Sequence, residues 1–392
     1  MGKVKLVATC LFGLEKLVGE EIDALGYTRR DTIDGRIYFE GPLEAIARSN
    51  INLRCAERVL IEMSSFEAPT FTALFDGVKK IPWERFIGEK DAFPVKGHSI
   101  KSDLHSIPDC QKMVKKAIVE RLRESYNSEW FEETGVKYQI EFFILNNRAC
   151  IMMDTSGTPL HKRGYRTEAN IAPIRETLAA GLVKLSRPRE EVILWDPFCG
   201  SGTIAIEAAL IMTNTAPGRY RSFAAESYPW IPEKLWKEAR DEADKKRNMS
   251  TAFRAIATDI DPESIEIARD NIRRAGMWDY INCFVKDALT IHKDDKRTTI
   301  VCNPPYGERM DTVKKAQQLY KKMGKVFQKL SPWQIYIITS EEDFENLYGK
   351  KADKVRRLYN GMIRCNYYQY FKRNDAIKSP NKSDIKTDSR QK

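Results

Sequence analysis

The sequence lacks any long uninterrupted apolar run and any segment that resembles a secretory leader. A membrane-spanning helix needs about 20 consecutive apolar residues, and no such run occurs in the 392 residues. The N-terminal segment MGKVKLVATCLFGLEKLVGEEID is apolar only briefly and turns acidic early, unlike a signal peptide. These absences argue against a membrane partner and predict a soluble, cytoplasmic protein.

Cysteine and histidine are too scattered to predict a metal site. The eight cysteines are widely spaced, no C-x-x-C pair occurs, and only four histidines are present. Structural zinc sites are built from closely spaced cysteine and histidine pairs, so no metal is expected. Scattered cysteines without a leader instead fit a reducing compartment.

The charge balance is basic. Lys and Arg total 65 against 55 Asp and Glu, which gives a formal net charge of +10. The excess is spread along the chain, and such a surface attracts polyanions through counterion release. Charge alone leaves two interpretations open, a nucleic-acid-binding protein and a soluble protein that happens to be basic.

The N-terminal part alternates short strand-like and helix-like segments, which predicts an α+β region. Strands are predicted over VKLVATC, GRIYFEG and RVLIEMSSFEA, and helices over LEKLVGEEIDALG and PLEAIARSNINLR. Farther along, the pattern predicts a long amphipathic helix over IPDCQKMVKKAIVERLRESY and a hairpin with its turn at Asn146-Asn147. The segment GTPLHKRGYR is rich in Gly, Pro and charge and is interpreted as a linker.

From about residue 171 the pattern changes to apolar strands alternating with helices. A helix over APIRETLAAGLVKLS comes first, and strands follow over EVILWD, FRAIATDI, INCFVKDA, TTIVCN and QIYIITS. This alternation predicts a parallel sheet covered by helices on both faces. The segment DKVRRLYNGMIRCNYYQYFK predicts an edge hairpin turning at Asn360-Gly361, and the polar tail from Asn374 is expected to be disordered.

The segment LWDPFCGSGTIAIEAA predicts a ligand site. A strand ends at Asp196, the residues from Gly200 to Gly202 form a tight turn, and a helix begins near Thr203. Glycines at such a turn let a ligand approach the backbone, and the helix N-terminus offers unpaired amide hydrogens. The pattern is neither a dinucleotide fingerprint nor a phosphate loop, and the acidic Asp196 favours a cationic ligand. A tight turn without a ligand is the alternative.

Two further acids end the next two strands. ATDID closes the second strand with Asp259, and VKDAL follows the third with Asp287. An acid at the end of the second strand can accept hydrogen bonds from both hydroxyls of a ribose. Asp287 could accept a hydrogen bond from the exocyclic amine of an adenine. Asp261 is expected to cap the next helix because Pro262 fits its first position. Each acid alone is commonly a cap or a solvated residue, but three at successive strand ends predict one site.

The loop NPPYGER follows the strand TTIVC and is poor in hydrogen-bond donors. An amine conjugated to a base or an amide is a weak nucleophile, so it needs acceptors that orient its lone pair. The Asn303 side-chain oxygen and the Pro304 carbonyl can accept, Pro305 adds no competing N–H, and Tyr306 can stack on a flat substrate. Catalysis would then rest on positioning and electrostatics. The alternative is a loop that merely ends a strand.

In this order, DPFCGSGT, ATDID, KDA and NPPYGER resemble the motifs of class I S-adenosylmethionine-dependent methyltransferases over roughly residues 165–372. The resemblance implies a Rossmann-like α/β domain whose mixed seven-stranded sheet ends in an antiparallel hairpin, with S-adenosylmethionine as the cofactor. The implied cofactor-binding residues are Asp196, Pro197, Cys199, Gly200, Ser201, Gly202, Thr203, Asp259, Ile260, Asp287, Ala288 and Asn303. The implied catalytic residues are Asn303, Pro304, Pro305 and Tyr306.

The Asn-Pro-Pro-Tyr loop resembles the methyltransferases that act on planar nitrogens, and the N-terminal third narrows the substrate. It resembles a ferredoxin-like half followed by a THUMP module. The junction LHKRGYR and the helix APIRETLAA resemble those of THUMP-containing RNA guanine-N2 methyltransferases of the RlmL type, which act on bacterial 23S ribosomal RNA. The expected divisions are 1–65 (ferredoxin-like), 66–160 (THUMP), 161–373 (methyltransferase) and 374–392 (disordered basic tail).

The resemblance implies methylation of guanosine N2 in ribosomal RNA, with transfer RNA as the alternative substrate. DNA adenine or protein glutamine methylation and a non-catalytic RNA-binding assembly factor also stay open. The basic residues expected to contact RNA are Lys101, Lys112, Lys115, Lys116, Arg163, Arg166, Arg219 and Arg221. Phe223, Trp230 and Trp236 accompany the last two arginines in an insertion that suits unstacked bases. The alternative is that the aromatic rings belong to the core and the charged residues are merely solvated.

Overall fold

Two seven-stranded sheets organise the chain. The computed structural model describes residues 2–166, 174–306 and 310–371. The predicted tail 374–392, residues Gly307, Glu308 and Arg309 of the NPPYGER loop, and Ala172 and Pro173 of the helix APIRETLAA lie outside these ranges. Within them, no helix is both long enough and apolar enough to cross a bilayer.

The first sheet belongs to the N-terminal part and has the strand order β2-β3-β1-β4-β7-β6-β5. All neighbouring strands are antiparallel except β5 and β6. The strands are β1 Val4–Cys10, β2 Thr28–Ile33, β3 Arg36–Gly41, β4 Ala56–Glu67, β5 Val95–Ile100, β6 Ile140–Leu145 and β7 Arg148–Asp154. The helices are α1 Glu15–Ala24, α2 Ala45–Asn52, α3 Phe71–Lys79 and α4 Ile107–Tyr126.

Strand β4 joins the two halves of this sheet. It is 12 residues long and pairs with β1 on one side and with β7 on the other. The expected division between residues 65 and 66 therefore falls inside β4, and the ferredoxin-like and THUMP regions share one continuous sheet. The division of the chain into domains stays a prediction.

The second sheet has the strand order β10-β9-β8-β11-β12-β14-β13. The first five strands are parallel, and β14 and β13 add an antiparallel hairpin at the edge. The strands are β8 Ile193–Asp196, β9 Ala255–Asp259, β10 Ile281–Val285, β11 Thr298–Cys302, β12 Gln334–Thr339, β13 Lys354–Asn360 and β14 Ile363–Tyr370. The helices are α5 Glu176–Ser186, α6 Thr203–Met212, α7 Glu233–Lys245, α8 Pro262–Arg274, α9 Met310–Phe327 and α10 Phe344–Tyr348.

This architecture confirms the predicted fold class, an α/β domain with a mixed seven-stranded sheet preceded by an α+β region. The long amphipathic helix and both predicted hairpins are also present. Asn146 and Asn147 have φ values of 50° and 62°, the left-handed conformation that asparagine tolerates and that a two-residue hairpin turn needs. The local turn signals were therefore sufficient to place these hairpins.

The segment interpreted as a linker is part of the core. Leu160, Arg163 and Tyr165 are buried. The Arg163 guanidinium donates to the Leu160 carbonyl at 2.5 Å and to the Arg54 carbonyl. The same guanidinium pairs with Glu207 of α6 at 3.5 Å. The junction thus connects the N-terminal sheet to a helix of the methyltransferase-like sheet through buried contacts.

The insertion between α6 and β9 packs against the N-terminal sheet. Tyr228 stacks on Tyr138 with ring centroids 4.4 Å apart, and its hydroxyl donates to the Asp154 carbonyl at 2.6 Å. Arg48 of α2 donates twice to Glu242 of α7, at 2.7 and 2.8 Å. The insertion therefore holds the two sheets together.

The three aromatic residues expected to contact RNA bases pack against other rings of the protein. Phe223 and Trp236 are buried and stack on each other with centroids 5.4 Å apart. Trp230 lies between Tyr228, at 5.8 Å, and Phe86, at 5.3 Å. For these rings the core interpretation is correct, because their faces already contact neighbouring aromatic rings.

Replacing Tyr228 with alanine tests whether the insertion contributes to stability. The change removes a buried aromatic ring and one hydrogen bond, so we expect the free energy of unfolding to fall by about 3 to 5 kcal/mol. The measurement is denaturant-induced unfolding followed by fluorescence. Tyr220→Ala is the matched control, because Tyr220 lies in the same insertion and is 72% exposed. Equal stabilities for the two variants would show that the insertion does not hold the sheets together.

Candidate active site

The turn between β8 and α6 has the geometry that its glycines predict. Gly200 and Gly202 have φ values of 49° and 82°, and the Gly202 N–H donates to the Cys199 carbonyl at 2.7 Å. A Cβ at Gly202 would lie 3.3 Å from the Cβ of Ala268. Glycine is needed at Gly202 both for its left-handed conformation and for the close approach of α8. Helix α6 then begins at Thr203, as predicted.

Asp196 lies at the end of β8 and is almost completely buried, with 1% of its surface exposed. Its Oδ1 accepts the Phe198 N–H at 3.1 Å. Burial raises the pKa of Asp196 well above the usual range, a shift that the Phe198 N–H opposes and the neighbouring Asp259 reinforces. A buried carboxylate with so few partners suits a cationic group brought by a ligand.

Asp259 connects the end of β9 to the same turn. One carboxylate oxygen accepts the Gly200 N–H at 3.0 Å, and the other accepts the Asp261 N–H at 3.1 Å. The structure also places Asp261 as the N-cap of α8, where its carboxylate accepts the N–H groups of Glu263 and Ser264, as predicted. The two neighbouring acids therefore have different tasks.

Asp287 follows β10 and begins a short 3-10 turn over Ala288–Thr290. Its Oδ1 accepts the Leu289 N–H at 2.9 Å. This is the capping role that the sequence left open, and it fixes the carboxylate at the edge of the sheet. Ala288 is buried beside it, whereas Ile260 after β9 is 67% exposed.

The Asn-Pro-Pro-Tyr loop is held by one contact within the loop and by side chains from two other elements. The Tyr306 hydroxyl donates to the Asn303 side-chain oxygen. The Tyr320 hydroxyl of α9 donates to the Pro305 carbonyl at 2.7 Å, and the Cys365 thiol of β14 lies 3.8 Å from the Tyr306 oxygen. Burial raises the pKa of Tyr306 well above its usual value, so this hydroxyl stays a donor.

These residues meet because the four strands that carry them are neighbours. The order β10-β9-β8-β11 places Asp287, Asp259, Asp196 and Asn303 side by side at the carboxyl edge of a parallel sheet. Ligands of open α/β sheets bind at this edge. The arrangement offers a buried carboxylate, a glycine turn at a helix N-terminus and a donor-poor loop in which the Tyr306 hydroxyl holds the Asn303 side-chain oxygen.

Two supporting contacts had no sequence signal. The Asn271 side chain of α8 donates to the Ser201 carbonyl at 3.0 Å and so fixes the glycine turn against α8. Cys365 supports Tyr306 from a strand more than fifty residues later. Both depend on tertiary proximity, which a motif search along the chain does not reveal.

Half of the residues expected to contact RNA already have partners inside the protein, and their contact with RNA stays a prediction. Arg163 is buried at the junction, and Arg166 donates to the Ile174 carbonyl and pairs with Glu176. Arg219 pairs with Asp244. Arg221 donates to backbone carbonyls of the junction, among them Pro159 at 2.8 Å. These guanidinium groups already have partners that a phosphate would have to displace.

The lysines of the THUMP-like region are more available. Lys101 and Lys116 are exposed, and Lys112 has a side chain 80% exposed. Lys115 differs, because it pairs with Glu133 and donates to the Phe93 carbonyl at 3.2 Å. The proposal of phosphate contacts is therefore kept for Lys101, Lys112 and Lys116.

Three family models match successive parts of the chain. A model described as RlmL ferredoxin-like domain matches residues 5–60, and a THUMP domain model matches residues 68–154. A model described as RMKL-like, methyltransferase domain matches residues 163–369, which is more than half of the 392 residues.

Individual relatives match nearly the whole chain. The Bacillus subtilis (strain 168) protein named "Putative RNA methyltransferase YpsC" is 46% identical over 373 residues, covering 95% of this chain and 97% of its own. The Psychromonas ingrahamii protein named Ribosomal RNA large subunit methyltransferase K/L is 31% identical over 361 residues, 90% of this chain and 48% of its own. This chain spans about half the length of the K/L relatives it matches. The crystal structure of SMU.472 complexed with SAH has a TM-score of 0.88 at 39% identity, covering 95% of this chain and 99% of that one.

The buried carboxylate of Asp196 predicts a pH-dependent stability of the unliganded protein. Because folding raises the pKa of this carboxyl, the protonated carboxyl contributes fully to stability below its unfolded-state pKa of about 3.9. As the pH rises through the higher pKa of the folded state, this contribution is lost because a charge must be buried. Asp196→Asn stays neutral, so we expect it to melt at a higher temperature than the wild type near about pH 8, with a gap that narrows toward about pH 5.

The measurement is thermal unfolding without ligand across this pH range. Asp295→Asn, on an exposed loop, is the control and should follow the wild type. If Asp196→Asn melts at or below the wild-type temperature near about pH 8, burial does not destabilise the charged Asp196 carboxylate.

Proposed function

The chain belongs to the RMKL-like methyltransferase family, and we propose that it transfers the methyl group of S-adenosylmethionine to the exocyclic N2 of a guanosine in RNA. The proposed RNA is large-subunit ribosomal RNA. The observation that carries the proposal is the placement of the Asn303–Tyr306 loop on β11, directly beside the strand that ends in Asp196. In this proposal, the acceptors for a planar amine would lie next to the site for the methyl donor.

The residues at the carboxyl edge fit the cofactor. S-adenosylmethionine supplies an electrophilic methyl group on a positively charged sulfur, and SAH is what remains after the transfer. The left-handed glycines Gly200 and Gly202 leave room beside the backbone, and the buried Asp196 has capacity for the cationic end of the ligand. We assign Asp259 to the ribose and Asp287 to the adenine amine. The remaining lining residues proposed are Pro197, Cys199, Ser201, Thr203, Ile260, Ala288 and Asn303.

The Asn303 side-chain oxygen and the Pro304 carbonyl would accept the two hydrogens of the target amine. A carbonyl oxygen has two lone pairs, so Asn303 can bind the amine while it accepts the Tyr306 hydroxyl. That hydroxyl fixes the amide orientation, and Pro305 is anchored by Tyr320. The acceptors direct the amine lone pair toward the methyl group, and the proton leaves to solvent after the transfer. Positioning and electrostatics supply the acceleration.

The N-terminal sheet supports RNA as the substrate. It matches a THUMP domain model, and Lys101, Lys112 and Lys116 present cationic side chains to solvent. The net charge of +10 adds a general attraction for phosphate. A guanine N2 inside a helix is out of reach, so the target would be unpaired or flipped out.

The names of the K/L relatives favour ribosomal RNA, and transfer RNA is the alternative substrate. Methylation of DNA adenine or protein glutamine would need the N-terminal sheet to bind duplex DNA or a protein. A non-catalytic assembly factor would not need an ordered acceptor loop, so the contacts around Asn303 and Tyr306 favour an enzyme.

Replacing Asn303 with alanine tests the catalytic assignment. The change removes one positioned acceptor, so we expect kcat to fall by about a hundredfold or more. The affinity for S-adenosylmethionine should fall far less, because Asn303 is only one of many residues proposed to line the cofactor. Tyr306→Phe keeps the ring but frees the Asn303 oxygen, and a smaller loss of kcat is expected. The measurements are single-turnover methylation and calorimetric cofactor binding. An equal loss of cofactor affinity in Asn303→Ala would count against the role as an amine acceptor.

A further inference from the structure

A cleft lies at the amino ends of the parallel strands of the second sheet, whereas the candidate active site lies at their carboxyl ends. It has a volume of about 870 Å³ and is lined by the first residues of β11 and β12 and by the last part of β14. Helix α1 of the N-terminal part forms one wall. Thr298 begins β11 and Asn303 follows its end, so at about 3.3 Å per residue the cleft and the catalytic loop lie roughly 16 Å apart along the strand.

The lining of this cleft is strongly basic. Nine basic and three acidic side chains contribute to it. Two of the cations are neutralised, because Lys184 pairs with Glu21 at 2.8 Å and Lys16 lies 3.9 Å from Glu20. Six others are exposed and form no ion pair with any residue in the described ranges. They are Arg187, Arg189, Lys293, Lys296, Arg297 and Lys354.

The wall of the cleft also carries buried donors without partners. Gln369 is 3% exposed, and its side-chain amide nitrogen has no acceptor among the described residues. The Arg356 Nε is likewise buried without an acceptor there. These two donors make the wall of the cleft polar beneath its exposed cations.

We propose that this cleft binds the phosphate backbone of the RNA substrate at a point remote from the target nucleotide. The inference rests on the proposed function for the identity of the RNA. The cations come from three separated segments, 187–189, 293–297 and 354–356, and they spread over a volume larger than one phosphate fills. Such a spread matches a repeating polyanion rather than a single small anion.

The protein's own C-terminal segment is not a suitable occupant. Residues 372–392 follow Phe371 at the rim of the cleft and contain seven basic and three acidic residues. A segment of the same sign as the cleft is repelled from it. An RNA that reaches both the cleft and Asn303 must span the length of β11, roughly 16 Å.

The test uses the full-length protein and large-subunit ribosomal RNA transcribed in vitro. Arg189→Gln, Arg297→Gln and Lys354→Gln are combined in one variant. We expect its affinity for this RNA to fall by at least about tenfold, and the slope of log affinity against log salt to decrease by about 2 to 3. Cofactor affinity measured by calorimetry should be unchanged, because the cofactor site lies at the other edge of the sheet.

The matched control is Lys234→Gln, Lys237→Gln and Lys245→Gln on helix α7, which removes the same charge from another exposed face. It should retain most of the wild-type affinity and salt slope. If the cleft variant binds RNA as the control does, the cleft proposal is overturned while the proposed substrate stands. If the wild-type protein fails to bind the RNA at all, the proposed substrate itself is wrong.

Discussion

The buried contact between Arg163 and Glu207 sets the geometry on which the rest of the structure depends. Glu207 lies one turn inside α6, the helix that begins at the glycine turn, and burial raises its pKa while Arg163 opposes the shift. Arg163 also donates to the Arg54 carbonyl of the N-terminal part. Removing one partner of a buried ion pair costs about 3 to 5 kcal/mol. The N-terminal sheet is therefore held at a fixed position relative to the Gly200–Gly202 turn.

That rigidity gives the proposed function a physical basis. In the proposed function, a methyl donor at the Gly200–Gly202 turn and an acceptor loop at Asn303 would define one reaction point. The N-terminal sheet, fixed by the junction and by the insertion, would define where RNA is held. The distance between the two would decide which guanosine of a folded RNA reaches the loop. The basic cleft at the opposite edge extends the same principle, because it would constrain the RNA from a second direction.

The sequence predicted features that depend on neighbouring residues. The glycine turn, the Asp261 cap and the asparagine hairpin each follow from backbone conformations that only certain residues adopt. It could not show that Arg163 is buried, because an arginine in a charged, Pro- and Gly-rich segment is usually solvated and its partner Glu207 lies on another helix. The basic cleft could not be predicted from the sequence either, because its cations are far apart in the chain and come together only through the strand order of the sheet.

We propose that the protein methylates guanine N2 in RNA at the loop that contains Asn303. The most direct measurement is to incubate the purified protein with labelled S-adenosylmethionine and unmodified ribosomal RNA, transfer RNA or duplex DNA. Nucleoside mass spectrometry of each product then identifies the methylated base. We expect N2-methylguanosine in the large-subunit ribosomal RNA and none of it in the Asn303→Ala reaction. Label found in N6-methyladenosine, or in DNA alone, would contradict it.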